Sequence, residues 1–192
     1  LWSVRGLGNT YFGRLFDIPA SGDYDGDGIA DVAVFRPSSG LWAVKDLTRI
    51  YLGTSGDIAL PGDYDGDGFC DPAIFRPSSG LWAVLGITTV YYGGSGDRPV
   101  PGDFDDNGTD EIAVYRSSAG LWAIRGLTRL YYGAPGDLPV PSVYSWEGGA
   151  ASFPLLPAIF RPATGLWAVR GKSRVYYGSW GDTPIPAAFD GG

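Results

Sequence analysis

Asp23 to Asp31 reads DYDGDGIAD, and the string returns as DYDGDGFCD from Asp63 to Asp71 and as DFDDNGTDE from Asp103 to Glu111, each copy forty residues after the last. Carboxylates at positions 1, 3 and 5 of such a loop, a backbone carbonyl at 7 and an acid at 9 can turn their oxygens onto one hard cation. Glycine at 6 lets the chain reverse sharply. The first copy offers Asp23, Asp25, Asp27, the Ile29 carbonyl and Asp31 around Gly28. The second offers Asp63, Asp65, Asp67, the Phe69 carbonyl and Asp71 around Gly68; the third offers Asp103, Asp105, Asn107, the Thr109 carbonyl and Glu111 around Gly108. Every donor is oxygen, which favours calcium over zinc or copper and leads to an expectation of three Ca²⁺ sites. The competing reading is three acidic turns that hold no ion, since Asp and Gly are common turn formers.

An EF-hand requires a bidentate Glu at position 12 and flanking helices, but position 12 of the first copy is Val34, inside the apolar run DVAVF. The loop therefore belongs between strands. The rest of the period agrees. Leu-Trp pairs open LWSV, LWAV, LWAV, LWAI and LWAV at Leu1, Leu41, Leu81, Leu121 and Leu166. Four of them follow a strand such as AVFR and a turn of the PSSG, SSAG or PATG kind, a hairpin signature. An aromatic strand (TYFG, RIYLG, TVYYG, RLYYG, RVYYG) comes next, and a short IPA or LPVP element leads into the acidic loop.

Four short strands per forty residues is the arithmetic of a propeller blade, whose two faces are buried against neighbouring blades. The fold expected is all-β, a β-propeller of about five four-stranded blades forming a single repeat domain over 1–192. The repeats run at about 1–40, 41–80, 81–120, 121–165 and 166–192, with the last incomplete. The terminal blade is expected to be composite, with a strand near Thr183 to Phe189 joining the LWSV and TYFG strands and no AVFR strand of its own. Ala33, Ala73, Ala113 and Ala158, each beside a bulky ring in sequence, suit a taper toward an axis.

These residues resemble the FG-GAP and VCBS-type calcium-binding repeats of β-propellers, a family that includes integrin α-subunit heads and many bacterial secreted proteins. The resemblance covers nearly the whole chain. It implies that the DxDxDGxxD loop joins the first two strands of a blade and holds one calcium. The third copy departs at Asn107 and Glu111, which predicts a weaker site. The fourth reads VYSWEGGAASFPLLP, five residues longer and with Glu147 as its single acid, so no calcium is expected there. A fifth begins at TPIPAAFDGG with Ala188 at the first ligand position.

Thirty-one glycines and fifteen prolines fit short strands and tight turns. The formal charge is −7, but eleven of the twenty-one acids are read as ligands in the loops, and three Ca²⁺ would bring the total to about −1 (−7 plus 6). Without a basic stripe, an apolar run near eighteen residues or a heptad, nucleic-acid binding, membrane insertion and coiled coils are disfavoured. Cys70 stands where the first copy has Ala30 and reads as a small buried residue. A chain without Met that opens in mid-repeat is expected to be part of something longer, with neighbouring domains.

Trp2, Trp42, Trp82, Trp122 and Trp167 could stack on sugars, although period and alternation favour core roles, and the same holds for Tyr91, Tyr131 and Tyr176. Arg36, Arg76, Arg116 and Arg161 recur with Asp17, Asp57, Asp97, Asp137 and Asp182, which predicts structural ion pairs. Asn107 in NGT is read as a ligand and not a glycan acceptor. Trp146, Glu147 and Trp180 break the repeat and are the candidates for a unique contact with a ligand. With no His, no GxSxG and no Cys beside a base, the chain is not expected to be an enzyme. The function expected is a calcium-stabilised, secreted or cell-surface binding or adhesion module whose partner is a protein or glycan. The alternatives are a multivalent lectin and a non-catalytic accessory domain of a secreted hydrolase.

Overall fold

The structure, a computed structural model, describes residues 1–4, 8–144 and 154–184, and every regular element among them is a β-strand. The chain divides into two compact units, Leu1–Ser95 and Gly96–Gly192.

In the first unit, β1 (Trp2–Val4) and β2 (Gly8–Thr10) form a two-stranded antiparallel sheet. Next come β3 (Ile18–Pro19), β4 (Ala33–Arg36), β5 (Leu41–Val44) and β6 (Thr48–Tyr51), which pair in chain order as a four-stranded meander. The same meander recurs as β7 (Ile58–Ala59), β8 (Ala73–Arg76), β9 (Leu81–Val84) and β10 (Thr88–Tyr91). The second unit repeats it with β11 (Asp97–Pro99), β12 (Ala113–Arg116), β13 (Leu121–Ile124) and β14 (Thr128–Tyr131). Its second sheet holds β15 (Leu138–Pro139), β16 (Ala158–Arg161), β17 (Leu166–Val169) and β18 (Ser173–Tyr176). Each four-stranded sheet has the meander of a propeller blade, and in the first three the acidic loop joins the first two strands. Residues 185–189 of the expected composite strand lie outside the described residues, and Thr183 and Pro184 are not in a strand.

The hairpins follow from their turns. After Arg36 the segment 37–40 reverses the chain, with the Gly40 N–H donating to the Arg36 carbonyl at 2.9 Å. Gly40 sits at φ 67°, and a Cβ there would collide with the Gly53 carbonyl oxygen, so both the conformation and the space call for glycine. This turn sets the register Ala33↔Val44, Val34↔Ala43, Phe35↔Trp42 and Arg36↔Leu41.

The register places Phe35 and Trp42 side by side on one face, with ring centroids 5.3 Å apart. Both rings are fully buried, as is Ile74 of the next sheet in the same unit, and the three pack with Ala20. The second unit repeats the arrangement: Tyr115 and Trp122 of one sheet pack against Ile159, Leu166 and Ala168 of the other. Ala33, Ala73, Ala113 and Ala158 are all fully buried.

Trp42, Trp82 and Trp122 have no exposed surface, and this overturns them as sugar-stacking candidates. Each indole N–H is also satisfied inside the protein, donating to the carbonyls of Leu52, Tyr92 and Tyr132 respectively. Trp2 and Trp167 are partly exposed but make the equivalent bonds, to Phe12 and Tyr177.

The recurrent ion pair is structural, as expected. Arg36 forks onto Asp17, with Nε to Oδ1 at 2.7 Å and Nη2 to Oδ2 at 2.8 Å, and the other three sheets repeat the fork with Arg76–Asp57, Arg116–Asp97 and Arg161–Asp137. Each Asp precedes or begins the first strand and each Arg ends the second, so the pair closes one end of the sheet. Among the described residues Asp182 has no arginine partner; its carboxylate accepts the Ser179 N–H instead.

Candidate metal centre

The loop between β3 and β4 is clamped at its base, where Gly22 and Asp31 form an isolated antiparallel bridge with the Asp31 N–H donating to the Gly22 carbonyl at 2.7 Å. Inside the loop the carboxylates organise the backbone. Asp23 accepts the Gly26 N–H on Oδ1 at 2.7 Å and the Gly28 N–H on Oδ2 at 2.8 Å. Asp25 and Asp27 each accept the N–H two residues on, and Asp31 accepts the Tyr24 N–H from across the loop. Gly28 holds φ 84°, the sharp turn that the spacing predicted.

The second loop reproduces every one of these bonds, from the Gly66 and Gly68 N–H groups on Asp63 to the Tyr64 N–H on Asp71. In the third, the Gly108 N–H reaches Asp103, the Thr109 N–H reaches the Asn107 side chain and the Phe104 N–H reaches Glu111. Asp106 takes the left-handed conformation, φ 63°, that glycine takes in the other two.

Three acids converge in each loop, with one oxygen from each lying within 4.8 Å of the other two: Asp23, Asp25 and Asp27; Asp63, Asp65 and Asp71; Asp103, Asp105 and Glu111. The structure brings together nine of the eleven acids expected as ligands. The other two, Asp31 and Asp67, stay in their loops, bonded to the Tyr24 and Phe69 N–H groups. Asn107 likewise caps the Thr109 N–H, and Ile29 and Phe69 expose their side chains.

Burial pushes the Asp71 carboxyl above the usual carboxylate range, and the charges of Asp65, Asp67 and Asp63 add to the effect. Burial raises Glu111 in the same way, helped by Asp105, Asp103 and Asp110. Acids held this close oppose one another's ionisation, and a divalent ion relieves that strain. The donor set fits calcium: clustered hard oxygens in a loop whose backbone is already turned.

The fourth loop keeps the frame and loses the chemistry. Ser142 and Leu156 form the basal bridge and the Tyr144 hydroxyl donates to the Val140 carbonyl, as Tyr24 and Tyr64 do to Ala20 and Leu60. Val143 and Leu156 stand where the first and last acids belong. Trp146 and Glu147 lie outside the described residues. Trp180 is described: it sits on the turn after β18 and its side chain is exposed.

A model of the FG-GAP repeat matches residues 17–52, a span running from the ion-paired Asp17 through the acidic loop to the residue after β6. Residues 17–52 are thus similar to an FG-GAP repeat. The three later sheets reproduce its strand order and ion pair, and the next two its acidic loop. No curated protein and no solved structure matches the chain.

Two features lay beyond the reading of the sequence. The loops are linked: the Cys70 N–H donates to the Asp23 carbonyl at 2.6 Å, and the Leu155 N–H to the Asp103 carbonyl at 2.7 Å. Cys70 is half-buried rather than buried, and its thiol lies where a side chain on Gly22 would go. Also, Tyr91, Tyr131 and Tyr176, read as core, are exposed, as is Tyr51. Each ends an edge strand on the face opposite the buried ring pair. The alternation of Ile50 with Tyr51 was the available signal.

Proposed function

We propose that this chain is a calcium-stabilised, non-catalytic binding or adhesion module that works outside the cell. The observation that carries the proposal is the recurrence of a pre-turned triad of converging acids at one position in three successive sheets. Asp23, Asp25, Asp27 and Asp31 would hold the first ion, Asp63, Asp65, Asp67 and Asp71 the second, and Asp103, Asp105, Asn107 and Glu111 the third, with carbonyls of Ile29, Phe69 and Thr109 completing each set. A bound calcium supplies charge neutralisation and cross-links the first and second strands of its sheet.

Affinity of the extracellular class, Kd about 10⁻⁴ to 10⁻³ M, would load the loops outside a cell and leave them empty in the cytosol. At 10 mM calcium each such site adds about 1.4 to 2.7 kcal/mol of stability by mass action. Thermal melting in calcium and then in chelator tests this. A rise in the midpoint with calcium that chelator reverses is expected, together with about three bound ions per chain by calorimetric titration. An unchanged midpoint and no bound ion refute the metal role.

A further inference from the structure

We propose that the tight turn at residues 14–17, with Leu15 and Phe16 at its tip, is a membrane anchor that seats these two side chains in the headgroup layer of an anionic phospholipid bilayer. The inference goes beyond the binding-module reading and needs no bound ion. It concerns attachment at a membrane surface and not a spanning segment; no helix among the described residues is long and apolar enough to cross a membrane.

The turn is a recurring one, and Leu15 and Phe16 are not what makes it. The Arg14 N–H donates to Asp17 Oδ2 at 2.8 Å and the Asp17 N–H to the Arg14 carbonyl at 3.2 Å. Thr54 with Asp57, Ala134 with Asp137 and Ser179 with Asp182 repeat both bonds. At the two tip positions the other copies have Ser55-Gly56, Ser95-Gly96, Pro135-Gly136 and Trp180-Gly181.

Phe16 works against the turn. It holds φ 70° where Gly56, Gly96, Gly136 and Gly181 hold 89 to 98°, a left-handed backbone that a residue with a Cβ adopts only under strain. Burial does not offset that strain, since Leu15 and Phe16 are 82 and 84% exposed. Nor does a missing neighbour account for the exposure. Ser55, Gly56, Pro135 and Gly136 are exposed as well, on turns that join sheets packed against each other. A large apolar pair kept at a position that faces water in every copy, one of the two in a strained conformation, marks a contact with something outside the chain.

The surroundings of the pair decide what that is. A protein partner or a second copy needs a footprint of about 800 Å², of which two side chains on one turn supply a small part. A bilayer accepts an isolated apolar tip when its flanks suit the headgroups, and these do. Tyr11, 84% exposed and four residues before Leu15, has the ring and hydroxyl of an interfacial residue. The charged groups of the turn are Arg14, Asp17 and the Arg36 that forks onto Asp17, and they leave one net positive charge for anionic headgroups. The fork also fixes the turn, so little conformational freedom is lost on attachment.

The test is co-sedimentation of the whole chain, in calcium and in chelator, with vesicles of phosphatidylcholine alone and of phosphatidylcholine mixed with phosphatidylserine. Binding to the mixed vesicles is expected, with several-fold weaker binding to phosphatidylcholine alone. Leu15→Ser combined with Phe16→Gly, which installs the Ser-Gly pair of the next two copies, should lower binding at least tenfold without lowering the melting temperature. Phe16→Gly alone should give a smaller loss, Phe16→Trp should retain binding, and Arg14→Gln should weaken it a few-fold on the mixed vesicles only. No co-sedimentation in either condition overturns the proposal. So does binding that the double variant keeps, as bridging of the acidic loops to headgroups by calcium would give, and so does self-association or capture of a protein through Leu15 and Phe16 without binding to vesicles.

Discussion

Replacing Arg76 with methionine isolates the force that closes the end of a sheet. The Asp57 side chain is 1% exposed and that of Arg76 33% exposed, and the fork between them has two contacts of 2.7 Å. Two further donors reach the same carboxylate, the Thr54 N–H at 2.8 Å and the Thr54 hydroxyl at 3.4 Å. Methionine keeps much of the stem and removes the charge, leaving a buried carboxylate with its threonine contacts alone. Removing one partner of a buried pair costs about 3 to 5 kcal/mol, and because a third of the arginine reaches solvent the lower end applies. For a chain of this length about 3 kcal/mol corresponds to a fall of roughly 6 to 12 °C in melting temperature.

The pH dependence gives the sharper check. Burial pushes the Asp57 carboxyl up, but the Arg76 hydrogen bond, the Thr54 N–H and the Arg76 charge together outweigh it, and Asp57 titrates below its ordinary value. In the native protein its contribution is therefore present above the unfolded value near 3.9 and is lost as the pH falls through the lower folded value. In R76M burial, the largest single influence on Asp57, faces only the Thr54 hydrogen bonds, so the sign is expected to reverse: the folded form then favours the protonated acid, and the penalty fades as the pH falls toward 4. The destabilisation, measured by urea unfolding at fixed calcium, should be largest at pH 7 and shrink by pH 4. A loss below about 1 kcal/mol at pH 7, or one that does not vary with pH, would refute the reasoning, since exposed pairs contribute no more than that.

Three further outcomes follow from the same contacts. Trp42→Ala should lower stability by about 3 to 5 kcal/mol in denaturant titration, whereas Tyr51→Ala should change it by less than about 0.5 kcal/mol. Gly40→Ala meets both a left-handed backbone and the Gly53 carbonyl oxygen, and should destabilise more than Gly28→Ala, whose new methyl meets nothing within 4 Å and which bears only conformational strain of about 1 to 2 kcal/mol. Because burial raises the carboxyls of Asp71 and Glu111, ion binding should displace protons as the medium turns acid, so calcium affinity by calorimetry should fall with falling pH, with measurable proton release, and Asp71→Asn should flatten that dependence for the second loop.

What could be read from the sequence was what local geometry determines. An Asx-rich loop turns on its own backbone, so the spacing of Asp23, Asp25 and Asp27 around Gly28 carried both the turn and the convergence of oxygens. The PSSG turn likewise fixed the Arg36↔Leu41 register. The misreadings arose where burial depends on the neighbouring sheet. Along β5 and β6, alternation assigns Trp42 and Ile50 to one face and Leu41 and Tyr51 to the other, yet it does not reveal how far the adjoining sheet extends over either. In the first unit Ile74 of the next sheet covers the Trp42 ring, while the end of β6 reaches beyond such cover and leaves Tyr51 in water. Cys70 teaches the same lesson in reverse. Its period assigned it to the position of Ala30, but its backbone is bonded to Asp23 forty-seven residues earlier and its thiol rests against Gly22, so its surroundings are made by a different repeat. That bond joins the last acid of one loop to the first acid of the previous one through two peptide units, and it makes the first two loops physically contiguous. An ion that tightened Asp71 in the second loop would act on the segment that positions Asp23 in the first, a route by which loading one site would bias the other.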